Sequence, residues 1–280
     1  LITESLIILL PVLLYLKIKG YSIKETLTLN RVNSKQIIYT IIIILLSYPI
    51  AVFFNYVGII LLSKYGRILP SSVPIPTSTT ELILGFITIS VTPGICEEVM
   101  FRGMMMKSYE PIGKKKAIIY SAVLFGLFHF NLQNLLGPTF LGIIFGILVY
   151  RTNSIITSVI AHATNNLIAL LIGFYSSRGE EIPAESLSSI PITEEEMLIY
   201  GAIALGTIAL ILGLIVYKLI KSMPTKAEPS NEETFHIQDI ECNEVRIYRE
   251  RNMDLIESLP LILLIIIFLI FNYRIFFALV

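Results

Sequence analysis

Charge, histidine and cysteine are scarce in this chain, and tryptophan is absent. Of 280 residues only 15% are charged and 55% are hydrophobic, with a mean hydropathy of +0.77. That composition excludes an ordinary soluble domain. Lysine plus arginine balance aspartate plus glutamate at 21 each, so no overall basic field invites nucleic acid, and no nucleic-acid partner is expected. The two cysteines, Cys96 in an apolar run and Cys242 in a polar stretch, exclude a disulfide framework and lack metal-type spacing. Alternating ten-residue segments are missing too, which argues against a membrane β-barrel. There is no 20 to 50 residue repeat.

What remains is long apolar sequence. Roughly eight runs reach or approach the length of a bilayer span, at about 1–18, 36–63, 82–106, 116–132, 138–150, 154–175, 197–220 and 258–279. Inside hydrocarbon the backbone must satisfy its own hydrogen bonds, so these runs read as helices. The expected fold is all-α: a polytopic integral membrane protein of about eight transmembrane helices. It forms a single transmembrane domain over 1–280, with a core at about 82–175 and a polar insertion at about 221–257. Pro49 in the second run and "TPG" at Thr92 to Gly94 in the third are expected to kink their helices.

The basic residues alternate between loops. One set of loops carries Lys17, Lys19, Lys24, Arg31 and Lys35, then Lys107 and Lys114 to Lys116, then Arg151, then Lys218, Lys221, Lys226, Arg246, Arg249 and Arg251; the other carries Lys64, Arg67 and Arg178. The positive-inside rule makes the first set cytoplasmic and puts both termini outside. In a prokaryote this is a protein of the cell membrane. The glutamate-rich 176–196 loop then faces out as a solvated loop.

Against this background "GICEEVMFRG", Gly94 to Gly103, stands out, because ionisable residues inside a span are costly and by default functional. Glu98 and Arg102 are four apart, share a helix face and can pair, which leaves Glu97 in need of another partner or a task. Two of the three histidines, His129 and His162, also fall within spans, and His162 precedes Asn166 by one helical turn. At ~1.5 Å per residue, Glu97 lies ~15 Å above Lys107, His129 ~20 Å above Lys116 and His162 ~17 Å above Arg151. Three helices therefore deliver polar groups to a similar depth.

A carboxylate, two imidazoles and an amide suit hydrolysis by water. No serine elbow or paired thiol supports a protein nucleophile. Glu97 can act as general base, with His129 orienting the water, while His162 and Asn166 donate hydrogen bonds to an oxyanion. Several alternatives stay open at this stage. The same groups can ligate zinc, although "HExxH" is lacking. Cys96 invites a thiol mechanism. A proton-coupled transporter can use intramembrane Glu and His, but no inverted repeat is present. A scaffold of the bacteriocin-immunity type can keep the motifs without turnover.

The motifs also resemble those of a known family. "EEVMFR" (Glu97 to Arg102) resembles the EExxxR motif, "FGLFH" (Phe125 to His129) the FxxxH motif, and "HATNN" (His162 to Asn166) the HxxxN motif of the CPBP intramembrane proteases, which include the type II CAAX prenyl endopeptidases, or Ras-converting enzymes. The resemblance implies a hydrolase, a glutamate protease that removes the C-terminal tripeptide from a prenylated CAAX protein. Glu97 is implied as base, His129 as its partner in activating water, and His162 and Asn166 as the oxyanion pocket. Glu98, Arg102 and Phe125 are implied as structural support. No cofactor is implied. The expected partners are a prenylated CAAX protein or peptide and the lipid bilayer, which holds the prenyl chain. A cytoplasmic substrate of that kind requires an opening toward the Lys-rich face.

Overall fold

The computed structural model describes residues 2–65, 68, 73–178, 193–225 and 254–276. Among them every regular element is helical and none is a strand, in keeping with an all-α polytopic membrane protein. A π-helical turn, Thr3–Leu9, leads into α1 (Leu10–Ile18), and a short α2 (Ile23–Thr26) precedes the long α3 (Ser34–Ser63). Next come α4 (Thr79–Gly85), a π segment Phe86–Val91, α5 (Thr92–Glu98), a second π segment Val99–Met105, and α6 (Met106–Tyr109). Then follow α7 (Lys114–Phe128), α8 (Leu136–Thr152), α9 (Ile155–Ser176), α10 (Glu194–Ser222) and α11 (Leu255–Phe276).

Helices occur at all eight apolar runs, and among the described residues five are long and apolar enough to cross a membrane: Ser34–Ser63, Thr79–Ile112, Leu132–Thr152, Ile155–Ser176 and Glu195–Ser222. The remaining three places hold shorter apolar stretches. Most of the polar insertion, and with it His236 and Cys242, lies outside the described residues, as does Arg67.

Local chemistry sets the helix ends. Asn33 caps α3 through a reciprocal capping box with Gln36, at 2.9 and 3.0 Å, satisfying two N–H groups that a helix start leaves open. Helix α3 then runs unbroken through Pro49, so that proline does not end it. Asn153 adopts the left-handed region (φ 49°), which asparagine tolerates, and with Ser154 it reverses the chain between α8 and α9 in two residues. Thr193 and Glu196 repeat the capping box at α10.

The core lies where α3, the Val99–Met105 segment, α7, α8 and α9 meet. Ile43, Phe101, Phe125, Phe145, Leu148 and Ala161 are buried together there. By contrast α10 exposes Ile203, Leu210, Ile211 and Leu214, an apolar face that suits lipid rather than water.

Close approach of the motif helices depends on small residues. A Cβ at Gly94 of α5 would sit 3.2 Å from the backbone nitrogen of Ala163 in α9. A Cβ at Gly142 of α8 would sit 2.9 Å from Ala122 Cα and 3.1 Å from Arg102 Nη2. These glycines let α9 and α8 close down on the helix that carries the carboxylates.

Candidate active site

The Glu98–Arg102 pair forms as its spacing predicts. Arg102 Nη1 donates to Glu98 Oε1 at 2.8 Å, with both side chains fully buried. The guanidinium also lies 4.4 Å from the Phe125 ring centre and 5.1 Å from that of Phe145, an aromatic cage that partly replaces its hydration. Ser121 Oγ donates to the Phe101 carbonyl at 2.8 Å and ties α7 to this segment.

Glu98 does more than support the helix. Its Oε1 also accepts from His162 Nδ1 at 2.9 Å. A carboxylate only accepts, so Nδ1 carries the proton. That fixes the ring and leaves Nε2 for other work. Phe145 stacks on the same imidazole at 5.4 Å and 23°, while Phe125 stands edge-on to both His162 (5.4 Å) and His129 (5.1 Å). Phe125 is thus a wedge between the two imidazoles.

His129 closes α7 as its C-cap residue, and Phe130 beyond it takes φ 47° as the chain turns away. The His129 Nδ1 donates to the Phe125 carbonyl at 2.8 Å, which again commits one nitrogen and frees Nε2 as a lone pair. Asn166 is oriented by a different route. Pro93 has no N–H to return to the carbonyl four residues back, that of Ile89, and Asn166 Nδ2 donates to that carbonyl at 2.9 Å. Asn165 Nδ2 in turn donates to Asn166 Oδ1 at 3.1 Å. One hydrogen of the Asn166 amide stays available.

Phe125, His129, Phe145, His162, Asn165 and Asn166 line one cavity of about 500 Å³, together with residues of α3, the Val73–Pro76 stretch and α8. The structure therefore gathers three of the four expected catalytic side chains around a single space. Glu97 is not part of the lining. It is buried beside the site, within electrostatic reach of His162, Arg102 and Glu4, and its Oε2 has no hydrogen-bond partner among the described residues. His162 and Asn166 share a helix face but do not bond each other; their partners are Glu98 and Ile89. Among the described residues no three His, Cys, Asp or Glu side chains gather as a metal-holding group. Cys96 is buried and free.

Asn165, which the "NN" pair offers beside Asn166 and which i,i+4 geometry alone sets aside, also lines the cavity; Phe145 and the π segments on either side of α5 have no counterpart in the motif spacing. The "TPG" stretch does carry a readable signal for the partner of Asn166: a proline in mid-span removes the N–H donor to the carbonyl four residues back, and an amide on a neighbouring helix is a natural claimant.

No curated protein and no solved structure matches the chain. Residues 79–168 match the family model described as Type II CAAX prenyl endopeptidase Rce1-like. That segment begins at α4 and ends two residues past Asn166, so the part of the chain holding all three motifs carries the sequence pattern of the Rce1-like endopeptidases.

Proposed function

We propose that this chain is an intramembrane endopeptidase that hydrolyses a peptide bond of a lipid-anchored polypeptide with water as nucleophile. The observation that carries this reading is the pair of imidazoles around the cavity, each with Nδ1 committed and Nε2 free. His129, neutral with its lone pair on Nε2, accepts a proton from the attacking water. Glu97, buried beside the site with an unpartnered oxygen and within electrostatic reach of His162, is the second base of this reading. The hydroxide adds to the carbonyl carbon, and negative charge develops on the carbonyl oxygen. His162, its ring oriented by Glu98 through Nδ1, donates to that oxygen from Nε2 when that nitrogen carries a proton. The second Asn166 N–H completes the oxyanion pocket. Collapse of the tetrahedral intermediate breaks the C–N bond, and the proton passes to the leaving amine.

The family match favours one form of this reaction, release of the C-terminal tripeptide after a prenylated CAAX cysteine. We favour a mechanism without a metal over a zinc-dependent version. The test is hydrolysis of a farnesylated CAAX peptide by the purified chain in detergent, where either face of the protein is accessible. Cleavage after the prenylated cysteine, with loss in His129→Ala and persistence in chelator, supports the proposal. Activity that vanishes with chelator and returns with Zn²⁺ reverses the metal-free part of it.

A further inference from the structure

In α11 an unbroken apolar run, Leu259 to Phe271, is followed by Asn272. Leu261, Leu264, Phe268 and Asn272 recur at intervals of three and four, so they share one helix face. Leu261 and Leu264 pack on the core, and Phe268 and Asn272 are each 1% exposed, whereas Ile266, Ile267 and Ile270 of the same helix are exposed. A buried amide on the packing face of an apolar helix is costly unless its groups find partners. Asn272 has both: Nδ2 donates to the Phe268 carbonyl at 2.9 Å within the helix, and Oδ1 accepts from the Leu132 N–H at 2.8 Å. The second bond leaves the helix and ends three residues beyond His129.

The chain between His129 and Leu132 is tightly wound. As α7 closes, the His129 N–H donates to the Gly126 carbonyl at 3.3 Å and the Phe130 N–H to that of Leu127 at 3.0 Å. Phe130 then takes φ 47°, where the β-carbon is crowded, and a bulky residue keeps such a conformation only when its surroundings hold it there. Helix α11 supplies that hold. The Phe130 ring stands edge-on to Phe271 at 5.8 Å and lies 6.4 Å from Phe268. From the other side α3 grips the same connection, with Asn55 Nδ2 donating to Asn134 Oδ1 at 2.6 Å and the Gly137 N–H donating to Asn55 Oδ1 at 2.7 Å. The backbone leaving His129 is therefore held by α11 at Phe130 and Leu132 and by α3 at Asn134 and Gly137. Phe268, Phe271 and Asn272 all lie beyond the family-matched residues 79–168.

We propose that α11 is a positioning element of the active site: Asn272, with the Phe268 and Phe271 rings, clamps the chain that leaves His129 and so fixes where that imidazole stands. This rests on the reading of His129 as the group that activates water. The test compares the purified full chain with Asn272→Ala, with Phe271→Ala, whose exposed ring is dispensable for burial, and with Ile270→Ala as an exposed control on the same helix. Hydrogen–deuterium exchange of residues 129–134 is read beside cleavage of a farnesylated CAAX peptide. Asn272→Ala and Phe271→Ala are expected to exchange faster over 129–134 and to lose ~10–10²-fold in kcat, the scale of a small misplacement of a reacting group. KM should change by less than about twofold, since positioning acts on the transition state rather than on uniform binding. Ile270→Ala should match wild type in both readouts. Unchanged exchange in both variants, or faster exchange with kcat unchanged, overturns the proposal. Exchange is read without turnover: a wild type that cleaves nothing sinks the peptidase reading, and with it the catalytic half of this proposal, while the clamp stands or falls on exchange alone.

Discussion

One oxygen of Glu98 holds both a guanidinium and an imidazole: Arg102 Nη1 lies 2.8 Å and His162 Nδ1 2.9 Å from Oε1. The carboxylate that neutralises the buried arginine is therefore also the one that sets the His162 ring. Glu98→Ala leaves Arg102 buried without its counterion, a loss of ~3–5 kcal/mol, and thermal unfolding in detergent is expected to shift down accordingly. Glu98→Gln keeps the shape and is expected to fold. It should lower kcat with little change in KM, because the His162 ring then loses the carboxylate that orients it through Nδ1.

His129 stands at the exposed end of α7, and among the described residues its hydrogen-bond partner is the Phe125 carbonyl. His129→Ala is expected to reduce kcat by ~10²–10⁴, the usual contribution of a positioned acid or base, with thermal stability close to wild type. A large stability loss with normal turnover would mean that the ring is a packing residue.

Asn166→Ala removes the amide that claims the Ile89 carbonyl. Loss of one oxyanion donor predicts a fall of ~10²–10³ in kcat. Asn165→Ala, one residue away, is expected to have a smaller effect, since Asn165 only steadies the Asn166 oxygen.

Much of this arrangement was legible beforehand, and the reasons differ by residue. The i,i+4 spacing of Glu98 and Arg102 fixed their pairing, and apolar length located the helices. Histidine scarcity pointed to His129 and His162. What one helix cannot reveal is which neighbour its side chains meet. The Glu98 to His162 bond joins residues 64 positions apart, and it depends on Gly94 allowing α9 to approach α5. Depth counting put Glu97, His129 and His162 at one level but said nothing of rotation about the axes, so Glu97 was expected in the cavity it does not line.

Gly142 tests the packing part of the account. Gly142→Val places a branched side chain against Ala122 and Arg102, and overpacking of this kind costs ~1–3 kcal/mol. Lower thermal stability together with reduced turnover is expected, since Arg102 and Glu98 cannot both hold their positions. Gly213, whose Cβ would meet nothing within 4 Å, is the matched control, and Gly213→Ala is expected to leave both unchanged.

The most direct measurement is cleavage of a farnesylated CAAX peptide by the purified protein in detergent, run beside Glu97→Ala and His129→Ala with and without chelator. The account predicts cleavage by wild type that survives chelator and is lost in both variants. Undiminished cleavage by folded Glu97→Ala and His129→Ala protein would contradict it.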